Sequence, residues 1–329
     1  MDAPHHHHHQ QHNRPKSYLA PDMCRRGDIV KQRFEVIEKL GAGTFGQVYK
    51  VMDTKTGRFW ALKVESNKAR KPVLRMDVAI ARAMIGKTHS ATFFACGHEE
   101  NFSFMVTELL GKNLATRKRA SPDGRFPLRT VIRIGLQSVD ALRDLHDCGF
   151  LHRDVKPSNL ATGVGDHERL VYLLDFGLAR KFLDDQGHIY PARSKVNFRG
   201  TIRYASPKAH IQQELSRGDD LWSLLYSLID LHIGRLPWHN LRDMKRVGEA
   251  KMQTSCEKLC RGFPAEWKLV YAMCKTLGYE SVPEYEFIKS SLNGVSKARP
   301  GGLIDVKQLT TVPWEWDAPA GERDASTMS

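Results

Sequence analysis

Two short segments hold the side chains best suited to chemistry in this sequence: His152-Arg153-Asp154-Val155-Lys156-Pro157-Ser158-Asn159 and Leu174-Asp175-Phe176-Gly177. Their polar members match what phosphoryl transfer asks of a protein, which is positioning and charge neutralisation rather than covalent chemistry. Asp154 can accept the proton of an attacking hydroxyl, Lys156 can reach a transferring phosphate, and Asn159 and Asp175 offer hard oxygen ligands to magnesium. Upstream, Gly41, Gly43 and Gly46 stand at GxGxxG spacing. Alone this signal is weak, because glycines also serve tight turns that bind nothing. Gln47 and Val48 lead onward into a strand rather than a helix, which separates the loop from a dinucleotide fold. It reads instead as a β-hairpin lid whose backbone N–H groups can approach phosphates. Lys63, in Ala61-Leu62-Lys63, follows on the next strand beneath that lid.

The surrounding pattern supplies elements to position these groups. Phe34, Val36, Ile37 and Leu40 predict a strand that ends at the glycines, followed by strands at Val48 to Met52 and Phe59 to Val64. Short turns join them, so an antiparallel meander is expected. Val73, Met76, Ile80 and Met84 predict a helix over 72–85, with further strands near 91–96 and 102–107. Beyond Gly111 the pattern turns helical. Leu128, Ile132, Leu136, Val139, Leu142 and Leu145 form one stripe, and the nearly all-apolar segment 220–233 reads as a helix buried in the centre of a lobe. Helices are also expected over 243–260, 265–277 and 284–292. No internal repeat is found.

These motifs, in this order, resemble a eukaryotic protein kinase over residues 34 to 298. Lys156, two positions after Asp154, is similar to the serine/threonine class. Gly200-Thr201-Ile202-Arg203-Tyr204-Ala205-Ser206, Asp219-Asp220-Leu221-Trp222 and Leu236-Pro237-Trp238 resemble the casein kinase 1 group. Within that group, Phe198-Arg199-Gly200-Thr201 and the run Asp219 to Leu224 look most like the tau-tubulin kinase branch, and Pro313-Trp314-Glu315-Trp316 resembles a closing motif of some members.

The resemblance implies an α+β, bilobal fold. A small β-rich N-lobe (34–107) would join through a hinge (108–111) to a larger, mainly helical C-lobe (112–298), with tails at 1–33 and 299–329. It implies ATP and Mg2+ as cofactors. Leu40, Gly41, Gly43, Gly46, Val48 and Ala61 would enclose the nucleotide, Lys63 would pair with its α- and β-phosphates, and Glu108 to Leu110 would hydrogen-bond adenine. Thr107 would gate the pocket behind adenine, and a residue this small leaves that pocket open. Thr201 would sit against Asp154 and Lys156, and Asp220 would hold the His152 to Asp154 loop from behind. Arg203 and Arg242 fall where the group binds substrate anions.

Two departures stand out. The family expects a helix glutamate to pair with Lys63, but Asp77 is the only acid between Glu65 and Glu99. Being one methylene shorter, it requires the helix to move inward, a water to bridge, or Lys63 to be held less well, and a positioning error of about 1 Å can cost about a hundredfold in rate. Ser206-Pro207-Lys208 replaces the usual Ala-Pro-Glu, so the ordinary acidic anchor of this segment is missing. The second departure fits the casein kinase 1 group, whose members lack that glutamate; because of Asp77, a weakly active or inactive kinase-fold scaffold is a second reading, and a nucleic-acid-binding protein is a third.

Composition sets bounds on all three. The chain has 329 residues, 41% of them hydrophobic and 26% charged, with a net charge of +13. Residues 1–33 carry +3 and 299–329 carry −2, so the excess lies in the 34–298 segment. An anionic partner is expected. Between Phe176 and Pro207, Arg180, Lys181, Arg193, Lys195, Arg199 and Arg203 outnumber Asp184 and Asp185, which suits acidic or phosphorylated protein substrates. Basic side chains on a solvated loop would look the same. No nucleic-acid signature accompanies the charge and no apolar run reaches the roughly 18 residues of a membrane span. Six scattered cysteines and the lack of a secretory signal suggest reduced thiols in the cytoplasm or nucleus; a monomer is expected. Cys256 and Cys260 lack the second pair a zinc site needs. The run His5 to His9 reads as part of a flexible tail or a tag.

Overall fold

The computed structural model describes residues 21–43 and 46–317, so the histidine run lies outside the described residues. In the N-terminal half, strands β1 (Ile29–Val30), β2 (Phe34–Gly43), β3 (Gly46–Asp53), β4 (Phe59–Ser66), β5 (Phe93–His98) and β6 (Phe102–Glu108) form one sheet in the order β1-β2-β3-β4-β6-β5. Every neighbouring pair is antiparallel. The two-residue period of a strand sorts its side chains. Tyr49 and Val51 of β3 and Trp60, Leu62 and Val64 of β4 turn into the lobe's core, while Val48, Ala61 and Lys63 face the other way. Helix α1 (Leu74–Ala83) packs against β5 and β6.

The C-terminal half is built around α3 (Leu128–Asp147) and α5 (Arg217–Ile233). Helix α5 is buried on nearly every side. Ser216 and Asp219 form a capping box at its start, and Gly234, at φ 88°, ends it. Around this pair lie α2 (Leu114–Ala120), α4 (Pro207–His210), α6 (Met244–Gln253), α7 (Cys256–Leu259), α8 (Trp267–Thr276) and α9 (Tyr285–Leu292). Two antiparallel ribbons complete it: β7 (Phe150–Leu151) with β10 (Arg180–Lys181), and β8 (Leu160–Thr162) with β9 (Val171–Leu173). They hold the ends of the two chemical segments against each other.

Several boundaries differ from the sequence expectation. The helix expected over 243–260 breaks into α6 and α7, because Thr254 bonds back to Ala250 O (2.7 Å) and Ser255 caps the second helix through Lys258 N (3.2 Å). Helix α2 was not expected; Asn113 starts it by accepting from Thr116 N at 2.8 Å. Residues 22–33 were assigned to the N-terminal tail, yet Cys24 and Val30 are buried in the small lobe's core and β1 extends its sheet. At the other end, Arg133 donates to the carbonyls of Leu309, Val312 and Pro313, and Trp314 is buried with Nε1 on Glu168 O (3.0 Å). Both flanks contribute apolar or aromatic side chains, and burying these outweighs the freedom lost by ordering the segments.

Candidate active site

Between the sheet and the helical half lies a cavity of about 710 Å³. Leu40, Gly41, Gly43, Gly46, Val48, Ala61 and Lys63 line it from one side, Thr107 to Asn113 from the edge, and Ser158, Asn159, Asp175 and Phe176 from the other. Residues 44 and 45 of the glycine loop lie outside the described residues. The three glycines are not equivalent. Gly46 has φ 140°, and a Cβ there would come within 2.2 Å of Val64 O, so the fold itself demands glycine. A Cβ on Gly41 or Gly43 would meet no atom of another described residue within 4 Å, so these two leave room for something else. Leu110 makes no backbone hydrogen bond to another described residue, which leaves its N–H and C=O available to a planar ligand. Past Thr107 the cavity continues to Ala81, Ala91 and Met105.

Lys63 is the charge centre of the upper wall. Its Nζ lies 2.9 Å from Asp77 Oδ2 and 3.1 Å from Asp175 Oδ1. Burial disfavours the ammonium, but the two carboxylates outweigh it and the pKa of Lys63 is raised. The short Asp77 thus reaches Lys63 directly, and its other oxygen accepts from Phe176 N at 2.9 Å. Helix α1 stands close enough to β4 for the shorter side chain to make this contact. Part of the reason is Glu65, buried on β4 two residues after Lys63, which accepts from Val73 N (2.8 Å) and Leu74 N (3.3 Å). No side chain of the helix's own N-cap does this. Glu65 is not legible in the sequence: the two-residue period of β4 places it on the Lys63 face, and its partners lie on another element.

Asp154 forms the lower wall's centre. Its Oδ1 accepts from Thr201 Oγ1 (2.7 Å) and its Oδ2 from Lys156 Nζ (2.6 Å), while Lys156 also donates to Thr201 Oγ1 (2.9 Å). Asn159 turns its Nδ2 to Asp154 O at 3.0 Å, leaving its amide oxygen uncommitted. From behind, Asp220 accepts from His152 N (2.8 Å), Arg153 N (2.7 Å) and His146 Nε2 (3.0 Å). These donors outweigh its complete burial and hold its pKa below the usual range. They also stabilise the left-handed backbone of Arg153, at φ 64°, which together with Asp175 at φ 62° marks strain concentrated at the site.

The segment from Phe176 to Pro207 is tied back by Glu214, which accepts from Arg193 Nε (2.5 Å) and Nη2 (3.0 Å) and pairs with Arg180 (3.4 Å). Burial opposes its charge, but these arginines win and lower its pKa. Arg153 lines the same small recess as Arg193 and Glu214, and burial with Arg180 nearby pushes its pKa down to about 10. Lys208 donates to Leu277 O at 2.8 Å in place of an acidic anchor. Arg203 and Arg242 are both exposed, although the backbone of Arg203 is fixed by Trp238 Nε1 on its carbonyl (2.8 Å).

A sheet-bearing lobe, a helical lobe and a cleft with these charges between them define a bilobal protein kinase. The chain belongs to the protein kinase domain family, matching it over residues 34–314. It is similar to a probable serine/threonine-protein kinase of Dictyostelium discoideum, 37% identical over 296 residues. That similarity covers 90% of this chain and 59% of the relative, so the chain spans about three fifths of the relative's length.

Proposed function

We propose that this chain is a serine/threonine protein kinase of the casein kinase 1 group, on the tau-tubulin kinase branch, that phosphorylates acidic or already phosphorylated protein segments. The observation that carries this reading is Asp154 held between Thr201 and Lys156, across the cleft from Lys63, Asp77 and Asp175. Bound ATP with Mg2+ would supply the transferable γ-phosphoryl group and the charge that balances it. The residues present fit that cofactor: Gly41 and Gly43 leave space for phosphates, Leu110 offers its backbone to adenine, and Asn159 and Asp175 offer oxygen ligands to magnesium. Among the described residues no three His, Cys, Asp or Glu side chains form a metal site, so phosphate oxygens and water would complete the ligand set.

Within this reading, Asp154 takes the proton of the incoming hydroxyl and Thr201 helps place that hydroxyl beside it. Lys156 keeps the carboxylate oriented and faces the oxygen that gains charge. Lys63 is oriented toward the phosphate positions by Asp77, whose second bond to Phe176 N links α1 to Asp175. This direct contact favours a working enzyme over an inactive scaffold. Arg203 and Arg242 form the substrate's anion site. All six cysteines are free thiols, in keeping with the cytoplasm or nucleus, and no helix among the described residues is long and apolar enough to cross a membrane.

The test is phosphate transfer from Mg-ATP to casein, with Asp175→Asn as the control. Transfer onto serine or threonine well above the control supports the proposal. Transfer no greater than the control overturns it.

A further inference from the structure

Ser206-Pro207-Lys208 leaves the substrate-side segment without its usual carboxylate anchor, and the structure contains a different one. Lys251, on the inner face of α6, is 4% exposed. Its Nζ donates to Ile202 O at 2.7 Å, Ala205 O at 2.5 Å and His210 Nε2 at 3.1 Å. The aromatic faces of Tyr226 and Trp238 lie 5.2 Å away on either account. No carboxylate among the described residues pairs with it.

Three acceptors converge on Nζ. His210 donates its Nδ1 proton to Met244 O at 3.0 Å, so Nε2 is a bare acceptor. Burial and the neighbouring Lys251 push this imidazole's pKa down to about 4, which keeps it neutral. Burial also pushes Lys251 down, to about 6, while three acceptors and two ring faces favour the charged form. Gly248, one turn earlier on α6, allows the approach: a Cβ there would lie 2.8 Å from His210 Cβ.

The segment so held carries substrate-facing groups. Thr201, which touches Asp154 and Lys156, is its first residue, and Tyr204 N and Ala205 N both donate to Thr201 O at 2.9 Å. Trp238 holds Arg203 O, and Tyr204 OH donates to Asp230 Oδ2 at 3.0 Å. Fixed from beneath through the carbonyls of residues 202, 203 and 205, the segment presents only the Arg203 side chain outward.

We propose that Lys251 is a positioning residue for the protein substrate, a buried hydrogen-bonding clamp that holds residues 201–205 in the shape that places Thr201 and Arg203. The inference rests on the kinase reading above. A carboxylate anchor here would oppose an acidic substrate, whereas carbonyl and imidazole acceptors place no negative charge beneath the docking face.

Lys251→Met keeps the apolar stem and removes the donors. The KM for an acidic serine peptide rises about tenfold, while the KM for ATP and kcat stay within about threefold. Amide hydrogen exchange quickens in residues 201–206 and not in 150–159. If this variant does not fold, Trp238→Phe removes the donor to Arg203 O and part of the ring beside Lys251, and a smaller rise in peptide KM with the same split is expected. Unchanged peptide KM and exchange in the variants overturn the clamp, as does a joint rise of the ATP and peptide KM values. A wild-type chain that binds Mg-ATP but phosphorylates no peptide fails the kinase reading instead, and local exchange then decides the clamp by itself.

Discussion

Lys63 and Lys251 are both buried lysines, and they are partnered in opposite ways. Lys63 faces two carboxylates, Asp77 and Asp175, which raise its pKa despite burial. Lys251 faces two carbonyls, an imidazole nitrogen and two aromatic rings, with burial pushing its pKa down. The difference follows from what each must do. The partners of Lys63 line a cleft where phosphates and a metal can share or exchange its contacts, so carboxylates suit the site. Lys251 needs no exchange; it holds a peptide segment still, and neutral acceptors at several points fix a shape without drawing in competing charge.

The sharpest way to break this comparison is to remove each amine in turn. Lys63→Met lowers kcat about a thousandfold with peptide KM little changed, since it removes charge stabilisation aimed at the reacting groups. Lys251→Met is expected to show the reverse split. Equal losses of kcat from both would erase the distinction. Next in size is Asp77→Asn, which keeps the shape and discards the charge; steady-state kinetics should show kcat lower by about a hundredfold.

Asp77→Glu sharpens the same point from the other side. With direct contacts at 2.9 Å to both Lys63 and Phe176 N, the aspartate leaves no gap for a methylene to fill. The longer side chain therefore overpacks a buried site and costs about 1–3 kcal/mol, visible as a lower Tm with kcat unchanged or reduced. Higher kcat in Asp77→Glu would show instead that α1 stands too far out. A smaller change is expected from Arg203→Gln or Arg242→Gln, each raising the KM for an acidic peptide by about threefold to tenfold at low salt. The effect should shrink in high salt, because both guanidinium groups are exposed.

The smallest effect is on stability against pH. His210 stays neutral in the folded chain down to about 4, whereas the unfolded imidazole takes up a proton near 6.5. The unfolded state binds more protons across that window, so stability contributed by the neutral ring is complete above about 6.5 and is lost as pH falls toward 4. Thermal melts should show this slope, flattened in His210→Gln.

Much of the site was legible because its members lie in short contiguous runs. Asp154, Lys156 and Asn159 share one loop, and the two-residue period of β4 put Lys63 on the face opposite Trp60, Leu62 and Val64. Thr201 beside Asp154 came from resemblance and not from spacing, since 47 residues separate them. Glu65 as the cap of α1, Glu214 as the tie for Arg180 and Arg193, and Lys251 beneath residues 202 and 205 were not legible. Each is a single polar residue whose partner lies on another element, and no local period marks it.

From the sequence alone came the order of the elements, the faces of the strands and the chemical identity of the groups in the cleft, because backbone periodicity and side-chain chemistry are local properties. Only the tertiary structure decided whether a side chain one methylene short could reach Lys63. That depends on how closely α1 approaches the sheet, a distance set by Glu65 and by packing between elements rather than by Asp77 itself. The same holds for Lys251, whose three partners meet only when α6 settles against α4.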